Sequence, residues 1–580
     1  MSAKATILGL AAALLVFPCG ASADPAPAEV ADLVLTGGRF YTQDSRKPWA
    51  QAVAIKDKRF VYVGDAAGAE QHAGKTTRRI DLGGKLVLPG LIDGHTHPGM
   101  MGIERYGPAL PQTSHKELLA AVKAYADRAP EGEWIRMCCW PEFRDVHGMD
   151  GPHKRELDAI VPDRPLWITS SSFHSFWLNS KALEVLGIDR NTPDPRPGIA
   201  TYVRDGSGEP TGWVKEGAGF QHFATVFPID PALHRAGVTE ALRILSEHGV
   251  TTLYDGGNLE YEDEVYGLLS ELDNSGKLPL RIEGTYMIFS PERRHLAVRE
   301  MKRLRSAYGG QRLHFGTIKL MMDGINSTRA AGMIAPYADQ PGYVGNTMLT
   351  ASELKDFLLE LHKEKFDLHV HAIGDLATRT TLDAVEAAKA LVGPGFYPRV
   401  TITHLELVDP SDWPRFAKLG VTANFTPWWH GVTADDPSVA TLGPERVSRT
   451  FMAKPLFDSG ANVSFASDDW TADVLSPFLS MEVGHNRQLP REWLEPGSDP
   501  SAFRPPASEK LDLELMVKGY TINGAYQLRM ENRIGSIEVG KLADLVVLKE
   551  NLFDMDRSKI HDIRPEAVMM EGTFTEHAGE

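Results

Sequence analysis

From residue 31 the chain alternates apolar and polar positions. ADLVLTGGRFYTQD and WAQAVAIKDKRFVYVGD keep this two-residue period between Gly-containing turns, which predicts half-buried antiparallel strands of a small β domain. IDLGGKLVLPGLIDGHTHP breaks the alternation. Its continuous apolar run before His95 predicts a strand buried on both faces, as in parallel sheets. Residues 101–235 differ again, with a helical pattern in SHKELLAAVKAYADRA, proline-rich turns in PDPRPG and the aromatic segment ITSSSFHSFWLNSKALEVLGI. The stretch is too long for a loop and reads as an α+β insertion after the first barrel strand.

The pattern then becomes regular. After the helix-like ALRILSEHG come VTTLYDGG, LRIEGTYMI, FGTIKLMMDG, FDLHVHAIGD, RVTITHLEL, VTANFTP and NVSFASDD, most of them separated by helical spacers such as ASELKDFLLELHKEK and TTLDAVEAAKALV. With the strand before His95 this makes eight, and eight strands alternating with helices predict an α/β fold, a (β/α)8 barrel of the TIM type. SIEVGKLADLVVLKEN and PEAVMMEGTFTE return to short strands and are expected to complete a β-sandwich built from both chain ends. The expected division is a signal peptide at 1–23, the β-sandwich at 24–85 and 529–580, the barrel at 86–100 and 236–528, and the insertion at 101–235.

Composition narrows the setting. The 580 residues, 42% hydrophobic and 24% charged, are ordinary globular material and enough for two or three domains. MSAKATILGLAAALLVFPCGASADP joins Lys4 to an apolar stretch and the small-residue site Ala21-Ser22-Ala23, the pattern of an export signal cleaved between Ala23 and Asp24. The expected location is periplasmic or secreted. A lipid anchor at Cys19 ranks second, because Pro18 fits that pattern poorly. No other run is long and apolar enough to span a bilayer. The mature chain keeps Cys138 and Cys139, adjacent and therefore poorly placed for an ordinary disulfide, so buried thiols are expected, with a strained vicinal bridge as the alternative. The net charge of -16 argues against a nucleic-acid partner. A homo-oligomer stays open.

The candidate chemistry lies where a barrel mouth would gather it. His95 and His97 close the first strand, two residues apart and so on one side of an extended chain. Lys319 lies in the fourth strand, His371 ends the fifth, His404 lies near the end of the sixth and Asp468 closes the eighth. Neutral imidazoles and a carboxylate are ligands for zinc and similar divalent ions, and five of them exceed one open tetrahedral site, which points to two ions sharing a bridge. Such a pair lowers the pKa of a shared water and polarises the carbonyl it attacks. Asp468 has a structural alternative as a helix N-cap beside Ser467 and Asp469. His369, deeper on the strand of His371, is expected behind the metal ligands or in the core.

GLIDGHTH, IKLMMDG, HAIGD, THLELV and FASDD, framed by ADLVLTGG and GSIEVGKLADLVVL, resemble the amidohydrolase superfamily. Within it the likeness is to the amidohydrolase 3 group, the YtcJ-like branch that includes N-substituted formamide deformylases, and it covers nearly the whole mature chain. RELDAIVPDRPLW, FHSFWLNSKAL and GEPTGWVKE in the insertion share it. The resemblance implies that His95, His97 and Asp468 hold one metal and His371 and His404 the other, with Lys319 bridging as a carbamate formed with carbon dioxide. A single-ion site would need no carbamate. Asp468 is then both ligand and proton shuttle. The resemblance also implies His174 as a pocket histidine.

Trp428 and Trp429 follow the seventh strand and Trp470 follows Asp468, so all three are expected around a pocket for an apolar or aromatic substituent of a small-molecule substrate. Arg329 is a candidate for a carbonyl or carboxylate. The expected activity is metal-dependent hydrolysis of a carbon-nitrogen bond in an amide or N-substituted formamide. The alternatives are an ester or lactone at the same site, or a barrel that binds metal without catalysis.

Overall fold

A computed structural model describes residues 29–101, 103, 107–111, 114–130, 134–141, 151–431, 438–469, 474–494, 499 and 501–575. The export signal read at 1–23, Cys19 and Trp470 lie outside the described residues.

The helical spacers begin where their capping residues stand. Ser114 accepts from the amide of Glu117 and opens the helix His115–Ala126; Thr350 accepts from Glu353 and opens Ala351–Glu364. In both, the glutamate returns a bond to the cap, so two otherwise orphaned amides are satisfied together. Between such helices lie short strands, nearly all of them wholly buried. Leu91–Thr96, Val250–Asp255, Arg281–Glu283 and Leu313–His314 form one parallel arc, in that spatial order. Met287–Ile288, Thr317–Met321, Asp367–Ala372, Val400–His404, Thr422–Phe425 and Val463–Phe465 form a second.

The third expected strand divides between the two arcs, and the fourth is preceded by the short strand Leu313–His314, which belongs to the first arc. The ladders therefore remain two arcs and do not run on as one closed ring. At the other junction the backbone amide of Asp468 donates to the carbonyl of His95 at 2.8 Å, and the amide of Ser467 donates to the carboxylate of Asp93 at 3.2 Å.

Both chain ends share one six-stranded sheet, in which Leu545–Leu548 pairs with Pro565–Met570 on one side and Leu86–Pro89 on the other. A four-stranded sheet around Ala31–Thr36 packs against it through Leu33, Leu35, Phe40, Val53, Val547 and Met569. The strands are not all antiparallel as the alternation predicted: Ala31–Thr36 runs parallel to Ala73–Asp81, and Arg39–Tyr41 parallel to Leu86–Pro89. Alternation reports burial of one face and carries no information on strand direction.

The apolar run before His95 is two strands rather than one. Leu86–Pro89 belongs to the terminal sheet and Leu91–Thr96 to the first arc. Gly90 sits where they part, and a Cβ there would come within 2.4 Å of Thr251 Oγ1. Any larger residue at this point would have to displace the Thr251 and Asp544 side chains.

The insertion folds around a five-stranded sheet containing Ile135–Trp140, Leu166–Ser170, Ser175–Leu178, Thr201–Arg204 and Pro210–Lys215. Here the expectation of buried thiols is overturned: the sulfurs of Cys138 and Cys139 are bonded to one another. Cys139 has φ +69, a left-handed backbone that the alternation around it did not signal. No helix among the described residues is long and apolar enough to cross a membrane.

Candidate metal centre

Strand register assembles the site. Met321 pairs with His371 and Ala372 with His404, so neighbouring strands deliver these side chains at one level. The two junction bonds bring Asp468 to His95. Asp468 Oδ1 lies 3.1 Å from His95 Nε2 and 3.4 Å from His97 Nε2, while Oδ2 lies 3.1 Å from His404 Nδ1. Lys319 Nζ is 3.2 Å from His95 Nε2, and the rings of His371 and His404 are 4.3 Å apart. The six side chains named from strand ends thus form one buried group. His404 and Asp468 adopt φ of +76 and +48. Such left-handed geometry costs a non-glycine residue on the order of 1–3 kcal/mol and tends to be kept where function holds it.

The group's electrostatics suit a cation. Burial, with Lys319 next, keeps His95 well below the ordinary histidine range, and burial does the same to His371 and holds His404 at about 4. All three present neutral nitrogens. Burial would raise the Asp468 carboxyl, but His404 and His95 more than offset it and hold the group ionised. Burial brings Lys319 down to about 7. The Nε2 atoms of His371 and His404 are buried without a hydrogen-bond partner among the described residues. Ligand atoms of His95, His404 and Asp468 all lie within 4.8 Å of one another. Orphaned imidazoles converging with a carboxylate fit a divalent ion.

Residues behind the group fix its members. His95 Nδ1 meets His369 Nε2 at 2.9 Å, so His369 supports a ligand from behind, as its depth in the strand suggested. His97 Nδ1 lies 3.0 Å from the carbonyl of Gly257. Asp93 accepts from the amides of His95 and Ser467. Asp323 accepts from Ile373, Gly374 and Gly332, which pins the turn after His371, and burial raises its carboxyl to about 8. Sequence reasoning assigned no role to Asp93 or Asp323. Each is an acid inside an apolar run next to a glycine, in LIDG and MMDG, and that was the available signal.

The group opens into a cavity of about 560 Å³. Trp428 and Trp429 line it, with Trp429 stacked on His404 at 5.5 Å and Trp428 Nε1 donating to the carbonyl of Ser467 at 2.8 Å. His174 reaches the cavity from the insertion, its ring 5.7 Å from that of His371. Phe220, Phe223, Met287 and Phe451 add apolar wall. Arg329 is not among the lining residues and forms an ion pair with Asp339.

The chain is similar to known proteins along most of its length. It is 30% identical to Protein LONG AFTER FAR-RED 3 of Arabidopsis thaliana, over 92% of this chain and 90% of the relative. It is 24% identical to the N-substituted formamide deformylase of Arthrobacter pascens, over 94% and 98% respectively. Among solved structures, an uncharacterized metal-dependent hydrolase from Pyrococcus horikoshii shares the fold with a TM-score of 0.66 and 23% identity, covering 90% of this chain and 99% of that one. The model of the amidohydrolase family matches residues 78–575, and the chain belongs to that family.

Proposed function

We propose that this protein is an exported hydrolase that cleaves a carbon-nitrogen bond of an amide or N-substituted formamide. In that role His95, His97 and Asp468 would hold one divalent ion and His371 and His404 a second, zinc being the expected element, and Lys319 would serve both as a carbamate. When bound, such ions act as Lewis acids that activate water and polarise a carbonyl. The observation that carries the proposal is the convergence of His97, the three neutral imidazoles of His95, His371 and His404 and an ionised Asp468 at the end of the cavity.

The chain's own residues supply the rest. Asp468 is placed to take a proton from the attacking water and return it to the leaving nitrogen as the carbon-nitrogen bond breaks, giving an amine and a carboxylic acid. Trp428, Trp429 and the phenylalanines exclude water and accept an apolar or aromatic substituent. The two arcs would serve as the walls of a (β/α)8 barrel, with the Asp468–His95 bond at one of their two junctions, beside the two-ended β-sandwich and the insertion. The similarity to a formamide deformylase supports the scissile bond, and the leader sequence supports export.

The test is a panel of N-formyl amines, N-acyl amino acids, aryl esters and lactones offered to the metal-replete protein. Cleavage of the formyl amines or N-acyl compounds is expected. Turnover confined to esters and lactones would move the reaction to the second reading, and no turnover of any class would favour a barrel that binds metal without catalysis.

A further inference from the structure

The apolar wall of the cavity has two ends, and the metal-ligand candidates stand between them. In the second arc Met287–Ile288 comes first, followed by Thr317–Met321, Asp367–Ala372, Val400–His404 and Thr422–Phe425. Met287 lines the cavity from the first of these strands, and Trp428 and Trp429 line it from the turn Pro427–His430 that follows the fifth. The three strands between carry Lys319, His371 and His404. The rings trace the same path. Phe220, which packs on Phe289 at 6.0 Å, lies 5.7 Å from the ring of His174. His174 lies 5.7 Å from His371, His371 4.3 Å from His404, and His404 5.5 Å from Trp429. Each end is broadened by a further ring in the cavity wall: Phe223 packs on Phe220 at 6.2 Å, and Phe451 packs at 5.2 Å on His430, in the turn of the tryptophans. The polar lining residues Asn326 and Glu406 follow the intervening strands and hydrogen-bond to one another.

Asp468 tells the two ends apart. Trp428 donates to the carbonyl of Ser467, next to Asp468, and Trp429 stacks on His404, whose Nδ1 is 3.1 Å from Asp468 Oδ2. Asp468 is the group proposed to protonate the leaving nitrogen, so the amine belongs at the tryptophan end and the acyl chain points toward Phe220. We infer that the substrate is an amide with an apolar group on each side of the scissile bond, its acyl chain seated on Phe220, Phe223 and Met287 and its amine substituent on Trp428 and Trp429. The inference rests on the proposed carbon-nitrogen chemistry and narrows it. A formamide has only hydrogen on its carbonyl carbon, leaves the Phe220 end unfilled and gives up the burial that end provides. A cavity of about 560 Å³ is in the range that encloses a drug-sized molecule, which the formamide of a small amine does not fill.

Formyl, acetyl and 3-phenylpropionyl anilides of one amine test this on the metal-replete protein. The acetyl and 3-phenylpropionyl carbonyls both bear a saturated carbon, so their ratio reads contacts farther along the chain and not carbonyl reactivity. The wild type is expected to favour 3-phenylpropionyl over acetyl at least about 100-fold in kcat/KM, with the formyl compound also behind. Phe220→Ala should lower that ratio at least about tenfold, and Trp429→Ala should leave it in place while weakening every anilide. A wild-type ratio near one or below overturns the inference while the carbon-nitrogen reading stands. Hydrolysis of esters with every anilide left intact overturns both.

Calorimetric titration with the matching ketones, in which CH₂ replaces the amide N–H and nothing can be cleaved, reads the same preference as binding. The 3-phenylpropionyl ketone is expected to bind at least about tenfold tighter than the acetyl one. Equal dissociation constants overturn the inference even where Phe220→Ala does not fold.

Discussion

The amide of Asp468 donates to the carbonyl of His95 across 2.8 Å, joining the end of the last strand to the first. The side chains of the same two residues meet 3.1 Å apart, so one contact both joins the arcs and places two metal-ligand candidates. Asp93 underlies it: its Oδ1 accepts from the amide of His95 at 3.1 Å, and the amide of Ser467 is shared between Oδ1 at 3.2 Å and Oδ2 at 3.3 Å. Asp93→Ala leaves two buried amides unpaired and should cost about 2–5 kcal/mol. Asp93→Asn keeps the shared acceptor and should cost clearly less. Urea midpoints of the two variants decide it, and equal losses would remove the acceptor role.

Asp468 touches both halves of the proposed pair, with Oδ1 near His95 and His97 and Oδ2 near His404. Elemental analysis of the wild type should therefore find two divalent ions per chain, and Lys319→Ala at most one. Asp468→Asn, which loses the proton acceptor, should slow turnover roughly 10³-fold. Two ions in the Lys319→Ala protein would rule out the bridge.

The ring of six side chains was legible because each polar residue interrupts or ends an apolar run, and such breaks are visible without knowing the fold. Division of the third strand between two arcs was not, since pairing partners decide it and Met287–Ile288 reads like any other apolar stretch. The contact between His174 Nδ1 and Glu216 Oε2, 42 positions apart, leaves no local signal in the sequence. Arg329 looked free in INSTRAAG for a similar reason: Asp339, ten residues on, reaches it only through the loop between them. The bond between Cys138 and Cys139 likewise depends on a left-handed residue in a stretch that reads as plain strand.

The terminal sheet is fastened to the first arc by a buried ion cluster. Arg281, 1% exposed, reaches Asp544 at 2.7 Å and Glu571 at 3.3 Å, and Arg312 also lies 3.3 Å from Glu571. Arg281→Leu takes the guanidinium from the buried Asp544, while Glu571 keeps Lys58 and Arg312, and should cost about 3–5 kcal/mol. Loss below 1 kcal/mol on this substitution would show that the cluster carries little of the attachment.

The same cluster predicts an acid limit. Burial pushes the Glu571 carboxyl up, but the Lys58 hydrogen bond and the Arg281 and Arg312 charges more than offset it and hold the pKa at about 2, against an ordinary 4.5. The unfolded chain binds this proton first as pH falls. The contribution is therefore complete above pH 4.5 and is lost between 4.5 and 2. After allowance for solvent screening it amounts to about 1–2 kcal/mol. Chemical denaturation at pH 7 and pH 3 should show a smaller acid loss in Glu571→Gln than in the wild type, and parallel losses would refute the assignment.

Trp428 and Trp429 are adjacent yet should fail differently. Trp429 lies flat against His404 at 5.5 Å and 19° and forms cavity wall, so it meets the substituent and not the reacting carbon. Trp429→Ala should weaken aryl substrates about 10–100-fold, chiefly through KM, and leave small alkyl ones nearly unchanged. Trp428 donates to the carbonyl of Ser467, one residue before Asp468, and so holds the turn that carries the proposed proton acceptor. Trp428→Phe keeps the apolar wall and removes only that bond, which should lower kcat for every substrate alike. Steady-state kinetics on one aryl and one alkyl substrate separates the two roles. If both variants shift KM for the aryl substrate alone, the Trp428 bond has no part in placing Asp468.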